Sequence, residues 1–241
     1  MSESPAPLLV PAAYAVVVDH LRRAIHLGTY APGEKLPPER EHAELLGVSR
    51  VTLREALRVL EGEGYLEMRR GSAGGAIILG PPASGALGRA QLRAHLDEIL
   101  AIQEFRAAIE PLSAARAAER STPRLVKALR ASVADIGEAT SLGLFRRADT
   151  TFHLTLADAA DCPPLRRSIE DARIAMFDQL DVVDFDIIVA SALEGHGAIT
   201  EAVADGDPAA ARAAMEAHVA GLRTEIIDLL GPPRRRRSKG S

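Results

Sequence analysis

Four residues of types that bind transition metals recur in the second half of the chain. Asp149 and His153 lie four apart in ADTTFHLTLADAA, so a helix would bring their side chains onto one face. His196 and His218 follow in LEGHGAITEAV and AAMEAHVAGL, each among apolar residues suited to a packed helical interior: Phe152 and Leu156, Ile199 and Val203, Val219 and Leu222. Three imidazoles and a carboxylate converging inside a bundle suit a divalent ion, Zn²⁺ first, with Ni²⁺ or Mn²⁺ also accommodated. The same spacing equally suits a surface Asp–His hydrogen bond with two bystander histidines. A metal-dependent hydrolase would need a general base beside such an ion, and no HExxH or comparable pairing supplies one.

A second chemistry lies near the N-terminus. Within PPEREHAELLGVSRVTLREALRVL, residues 37–60, Leu53, Ala56, Leu57 and Leu60 form one apolar helix face. Arg50, Arg54 and Arg58 recur every four residues on another. Gly47 suits the left-handed residue closing a first short helix, and Ser49 can cap the second. This is the pattern of a helix-turn-helix with arginines facing a DNA groove. YLEMRRGSAGGAIIL then reads as two strands around a glycine-rich tip, Gly71 to Gly75, with Arg69 and Arg70 leading in. The pair makes a winged helix, whose alternative reading is a surface hairpin with two solvated arginines.

The elements that must hold these residues are nearly all helical. Alanine is abundant and aromatics are 3% of 241 residues, which favours helices packed through small side chains. The expected fold is mostly α: an N-terminal winged helix-turn-helix at 12–79, a Pro/Gly/Ser-rich linker at 80–89, an antiparallel all-α bundle of about six helices at 90–230 and a disordered basic tail at 231–241. In the first domain helices are expected at 14–27, 39–46 and 50–61, with Pro38 near the first helical position. In the bundle they are expected at 90–120, 123–139, 142–160, 163–183, 187–204 and 208–230, broken at the Pro, Gly and Asp signals between them. Residues 1–11 read as a mobile lead-in.

The net charge of −4 divides unevenly. Residues 1–80 carry −1, the last eleven +5, and 81–230 carry −8, so positive charge is local to the recognition helix, the hairpin and the tail. No run of about 18 apolar residues predicts a membrane span. The N-terminus lacks the pattern of a secretion signal, and the single Cys162 excludes an intrachain disulfide. A cytoplasmic protein is expected.

LPPEREHAELLGVSRVTLREALRVLEGEGYLEMRRG resembles the winged helix of GntR-family bacterial transcription regulators, over nearly all of residues 12–79. That resemblance implies DNA contacts by Arg40, Ser49, Arg50, Thr52 and Arg54, and by the wing-tip Gly71. Val51 stands where some relatives carry a polar residue. EFRAAIEP, the Asp-x-x-x-His segment, His196 and EAVADGDPAAARAAMEAH are similar to the FCD ligand-binding domain of the FadR-type branch, over roughly 90–228. In metal-containing members an aspartate and three histidines in this order hold the ion at the floor of the effector cavity, which implies Asp149, His153, His196 and His218 as ligands. The resemblance also makes Arg106 a candidate for holding the effector's carboxylate, with Arg173 as a second. A plain i,i+4 pair of Arg106 with Glu110 is the alternative. Relatives usually carry asparagine at position 162, a better helix cap than cysteine, and a buried, inert thiol is expected there.

The function implied is a DNA-binding transcription regulator, a repressor that binds a palindromic operator as a homodimer, controlled by a small organic acid held at the metal. A regulator that senses the metal itself is the alternative.

Overall fold

The computed structural model describes residues 12–71, 74–80, 93–177 and 185–231. The expected lead-in at 1–11, most of the linker and the tail beyond Gly231 lie outside the described residues. The described residues divide into two compact units, one from 12–25 and 30–80, the other from 26–29 and 93 onward.

The first unit holds α1 (Ala13–His26), α2 (Glu39–Leu46), α3 (Arg50–Gly62), β1 (Leu66–Arg69) and β2 (Gly75–Ile78). Helix α3 forms as its sequence dictates. Ser49 is extended and its hydroxyl accepts the Thr52 N–H at 3.0 Å. Leu53, Ala56, Leu57 and Leu60 are buried against Val17, Leu21 and Ile25 of α1 and against the hairpin's Leu66 and Ile78. Gly47 closes α2 in the left-handed conformation, φ 65°. Pro38 is the N-cap rather than the first helical residue: its backbone is extended (ψ 139°) and its carbonyl accepts the His42 N–H. Helix α3 includes Gly62, the reversal being completed by Gly64 with positive φ. The strands pair antiparallel from Leu66 opposite Ile78 to Arg69 opposite Gly75. Lys35 bridges to Ile77 on the other edge of β2, so the wing is anchored by the segment before α2 as well.

The second unit is a bundle of α4 (Leu96–Glu119), α5 (Pro123–Gly137), α6 (Leu142–Ala159), α7 (Pro163–Phe177), α8 (Phe185–Ala204) and α9 (Pro208–Leu230). Thr122, Ser141 and Asp207 cap α5, α6 and α9 with their side-chain oxygens. Helix α9 packs on α4 and α8, α5 on α6 and α8, and α4 and α6 on α7. A core of small and medium side chains, including Ala114, Ala117, Leu129, Phe152, Ile199 and Val219, fills the centre.

Several boundaries differ from expectation. Helix α4 starts at Leu96, with His95 as its N-cap residue, and α5 ends at Gly137. Helix α7 is described to Phe177, so its expected extension to 183 falls largely outside the described residues. Helix α8 starts two residues earlier than expected, at Phe185. Cys162 is half-buried rather than buried, packed with the cluster of Ala157, Ala160, Leu165 and Ile169.

Candidate functional site

In the first unit, Arg40, Arg50 and Arg58 are exposed and have no ion pair among the described residues. Arg54 is exposed too, but its guanidinium donates to Glu39 of α2, with Nη2 2.6 Å from Oε2. Glu39 raises the Arg54 pKa through that hydrogen bond and its charge. The Ser49 and Thr52 hydroxyls lie 2.8 Å apart, so one is available to a phosphate only as the other donates or accepts. Val51 is 70% exposed on the same end of the helix. At the wing, Gly71 has φ +102°, a backbone that L side chains avoid, and its carbonyl accepts the Gly74 N–H. Arg69 pairs with Glu67 of its own strand. The expected DNA-contacting residues thus gather on the exposed start of α3, its neighbour α2 and the hairpin tip. Arg54 is the one already bound by a carboxylate.

In the second unit the three histidines meet. Donor atoms of His153, His196 and His218 lie within 4.8 Å of one another, His153 and His196 through Nε2 atoms 3.2 Å apart. Asp149 turns Oδ1 toward both, 3.4 Å from His196 Nε2 and 3.8 Å from His153 Nε2. Four donors about 2.0–2.1 Å from a tetrahedral ion lie roughly 3.3 Å apart, so the separations among His153, His196 and Asp149 suit a small divalent ion, with His218 within 4.8 Å of the other two imidazoles. The reading of Asp149 and His153 as a surface pair fails, because both are buried.

Each imidazole has a reason for its orientation. His153 Nδ1 is 2.7 Å from Glu110 Oε2 on α4, which leaves Nε2 for the cluster. His196 stacks on Phe152, ring centroids 4.0 Å apart and planes 4° from parallel. His218 lies against Gly195, where a Cβ would come 2.5 Å from Nδ1. Burial pushes His196 and His218 well below the usual imidazole pKa. For His196 the positive fields of His218, His153 and Arg173 add to this; for His218 those of His153, Arg106 and Arg173 do. Both are therefore neutral near pH 7, the form that binds metals. The Nδ1 atoms of His196 and His218 are buried without hydrogen-bond partners among the described residues, which in a metal-free interior is costly.

Two cations complete the centre. Arg106, 1% exposed, grips Glu110 with two nitrogens, Nε to Oε1 at 2.6 Å and Nη2 to Oε2 at 3.3 Å, and gives Nη1 to Gln103 and to Met176 Sδ. The intrahelical pair with Glu110 thus exists, and Arg106 still lines a cavity. Burial would raise the Glu110 carboxyl, but Arg106 and then His153 hold it well below the usual carboxylate range. Arg173 contacts Asp149 Oδ2. Burial and the nearby Arg106 lower its guanidinium to about 9, still cationic at neutral pH. Glu110, Gly195 and Phe152 were missed as members of the site by sequence reasoning. The i,i+4 step from Arg106, and a glycine inside a helical run, were the available signals.

A cavity of about 40 Å³ adjoins the cluster and has Asp149, His218 and Arg106 in its wall. Leu142, Phe145, Met176, Ile188, Ala192 and Leu222 give it apolar sides, and Arg146, Ser191 and Glu225 add polar groups.

Comparison with known proteins agrees with both halves. Residues 13–74 match the family described as bacterial regulatory proteins, gntR family, and residues 101–221 match the FCD domain. An HTH-type transcriptional regulator of Mycobacterium tuberculosis is 33% identical over 81% of this chain and 82% of its own. The Uxu operon transcriptional regulator of Escherichia coli is 29% identical over 89% and 87%. The HTH-type transcriptional regulator LutR of Bacillus subtilis is 29% identical over 84% and 94%. Among solved structures, E. coli McbR/YncC shares the fold with a TM-score of 0.54 at 19% identity, over 91% of this chain and 99% of that one. These relatives are transcription regulators, not enzymes, and among the described residues no helix is long and apolar enough to cross a membrane. The chain belongs to the GntR family of bacterial transcription regulators, with a winged helix-turn-helix for DNA and an FCD effector-binding domain.

Proposed function

We propose that this regulator represses transcription as a homodimer on a two-fold symmetric operator, and that a small carboxylic acid bound at a divalent ion controls its affinity. Asp149, His153, His196 and His218 would hold the ion, Zn²⁺ by the nitrogen and oxygen donor set, with Ni²⁺ or Mn²⁺ also compatible. The observation that carries the reading is the convergence of three histidines, with Asp149 beside them, next to a cavity whose wall includes Asp149 and His218.

Charge supports an anionic ligand. At the centre the cations Arg106 and Arg173 are matched by Glu110 and Asp149, and neutral imidazoles add nothing. A divalent ion, when bound, would supply two positive charges and could take an oxygen donor by expanding beyond its four protein ligands. The excess favours a carboxylate, with the guanidinium of Arg106 at the same wall. The cavity beside the ligands favours an ion that holds an effector over an ion that is itself the signal.

Arg40, Ser49, Arg50, Thr52, Arg54 and Gly71 would contact the operator, phosphates setting affinity and at least one arginine reading guanine. Dimer symmetry would place one α3 in each major-groove half-site. The acid regulates only if it binds the DNA-competent and incompetent arrangements with different affinity, about 1.4 kcal/mol shifting occupancy tenfold.

The test is elemental analysis of the purified chain together with selection of its binding sites from random DNA. One metal per chain, lost in His196→Ala and His218→Ala, and a palindromic selected site are expected. Absence of metal, with no thermal stabilisation by added Zn²⁺, Ni²⁺ or Mn²⁺, would overturn the metal reading. An asymmetric selected site would overturn the dimer.

A further inference from the structure

The cavity wall also holds a carboxylate outside the proposed ligand set. Glu225 lines it, and its Oε2 is buried with no hydrogen-bond partner among the described residues. Glu225 and His218 are on the same helix α9, seven residues apart, with Leu222 between them in the same wall. A spacing of four and then three residues keeps all three on one face. The wall therefore reads, along one face of one helix, as metal-ligand candidate, apolar side chain, unsatisfied acceptor.

We propose that Glu225 selects the effector: the ligand is a short carboxylic acid carrying a hydroxyl or ammonium donor at the end away from its carboxylate, and Glu225 accepts that donor. The inference rests on the reading that the acid binds at the histidine cluster. Seven residues of helix rise about 10.5 Å, so the two side chains bracket a stretch of wall that a short acid can span. Leu222 and, across the cavity, Phe145 and Ala192 would cover the methylenes. An acid with a plain alkyl end would displace the water available to Glu225 and return no hydrogen bond, and sites built around a buried acceptor reject such analogues strongly.

The test is calorimetric titration of the full chain loaded with Zn²⁺, using butyrate, 4-hydroxybutyrate and 4-aminobutyrate with the three- and five-carbon homologues of each. At the best chain length the donor-bearing acids should bind at least tenfold more tightly than the plain one. Glu225→Gln, which keeps an acceptor oxygen and loses the charge, should erase the ammonium advantage and retain much of the hydroxyl advantage. Glu225→Leu should make the plain acid the tightest. Equal binding of plain and donor-bearing acids to the wild-type chain, or a donor advantage that survives Glu225→Leu, would overturn the role of Glu225 and leave acid binding standing. Failure of every acid to bind the Zn²⁺-loaded chain would overturn both readings.

Discussion

Gly195 makes room for His218: a side chain at 195 would place its Cβ 2.5 Å from Nδ1 and 3.0 Å from Cγ of the imidazole. Gly195 is in the interior of α8, next to His196, where glycine costs a helix roughly 0.5–1 kcal/mol relative to alanine. The close approach of the ring explains why that cost is tolerated. Gly195→Ala should therefore strengthen the helix locally and push the His218 ring away from His153 and His196. Metal affinity is expected to fall about 10- to 100-fold, as when supporting groups of a metal site are disturbed. Competition with a chromophoric chelator measures it. Unchanged affinity would show that His218 is outside the binding set.

Glu110 lies where it can select the tautomer of His153. With Oε2 2.7 Å from Nδ1, the carboxylate favours a proton on that nitrogen, which would turn the lone pair of Nε2 toward the cluster. Glu110→Gln keeps an acceptor of similar size but leaves Arg106, buried at 1% exposure, without its charge partner. The expected result is a loss of metal affinity of roughly tenfold or more and a lower melting temperature in the metal-free chain, because a buried cation has lost its counter-charge. A double variant with Arg106→Met, which removes that cation, should regain melting temperature while metal affinity stays low. Recovery of both together would assign Glu110 a purely structural role.

The fold was legible to the extent that local patterns decide it. The buried face of α3, the Ser49 cap and the left-handed Gly47 follow from short-range chemistry and stand as read. So does the gathering of His153, His196 and His218, because apolar neighbours marked each as inward-facing. What the sequence left open depends on distances between helices. Whether Arg106 faces Glu110 or a ligand could not be decided from an i,i+4 step, since a buried guanidinium has donors enough for both. Glu225 carried no signal, because an acidic residue near a helix end is ordinarily solvated. Gly195 was hidden within an otherwise helical stretch.

His42 makes the winged helix sensitive to acid. It is 1% exposed on α2, its Nδ1 has no hydrogen-bond partner among the described residues, and Nε2 is 3.4 Å from the Tyr30 hydroxyl. Burial, and after it the charge of His20 on α1, lowers its pKa below the ordinary value of 6.5. The unfolded chain then binds a proton before the folded one does, so stability rises with pH in that interval. The contribution is fully present above the unfolded pKa and is lost as pH falls through the folded value, with a slope of at most about 1.4 kcal/mol per pH unit. Amide exchange in α2 and α3, corrected for intrinsic rates, should report weaker protection at pH 5.5 than at pH 7.5. His42→Leu should flatten that difference, and an undiminished difference in the variant would place the acid sensitivity elsewhere.

Glu39 pairs with an arginine proposed to contact the operator. Arg54 is exposed, yet its Nη2 is 2.6 Å from Glu39 Oε2, so a DNA contact by Arg54 would have to displace a carboxylate that itself repels phosphate. Glu39→Gln removes both obstacles. It should tighten binding to operator and to unrelated DNA alike and steepen the salt dependence, since one more basic side chain can neutralise a phosphate. Arg54→Ala should act in the opposite sense and unequally. If Arg54 reads a guanine, operator affinity falls roughly tenfold or more while binding to unrelated DNA changes little. Fluorescence anisotropy with operator and scrambled duplexes across 50–200 mM salt separates these effects. Equal losses on both duplexes would make Arg54 a phosphate contact and move base reading to Arg50 or Arg40, which have no ion pair to give up among the described residues.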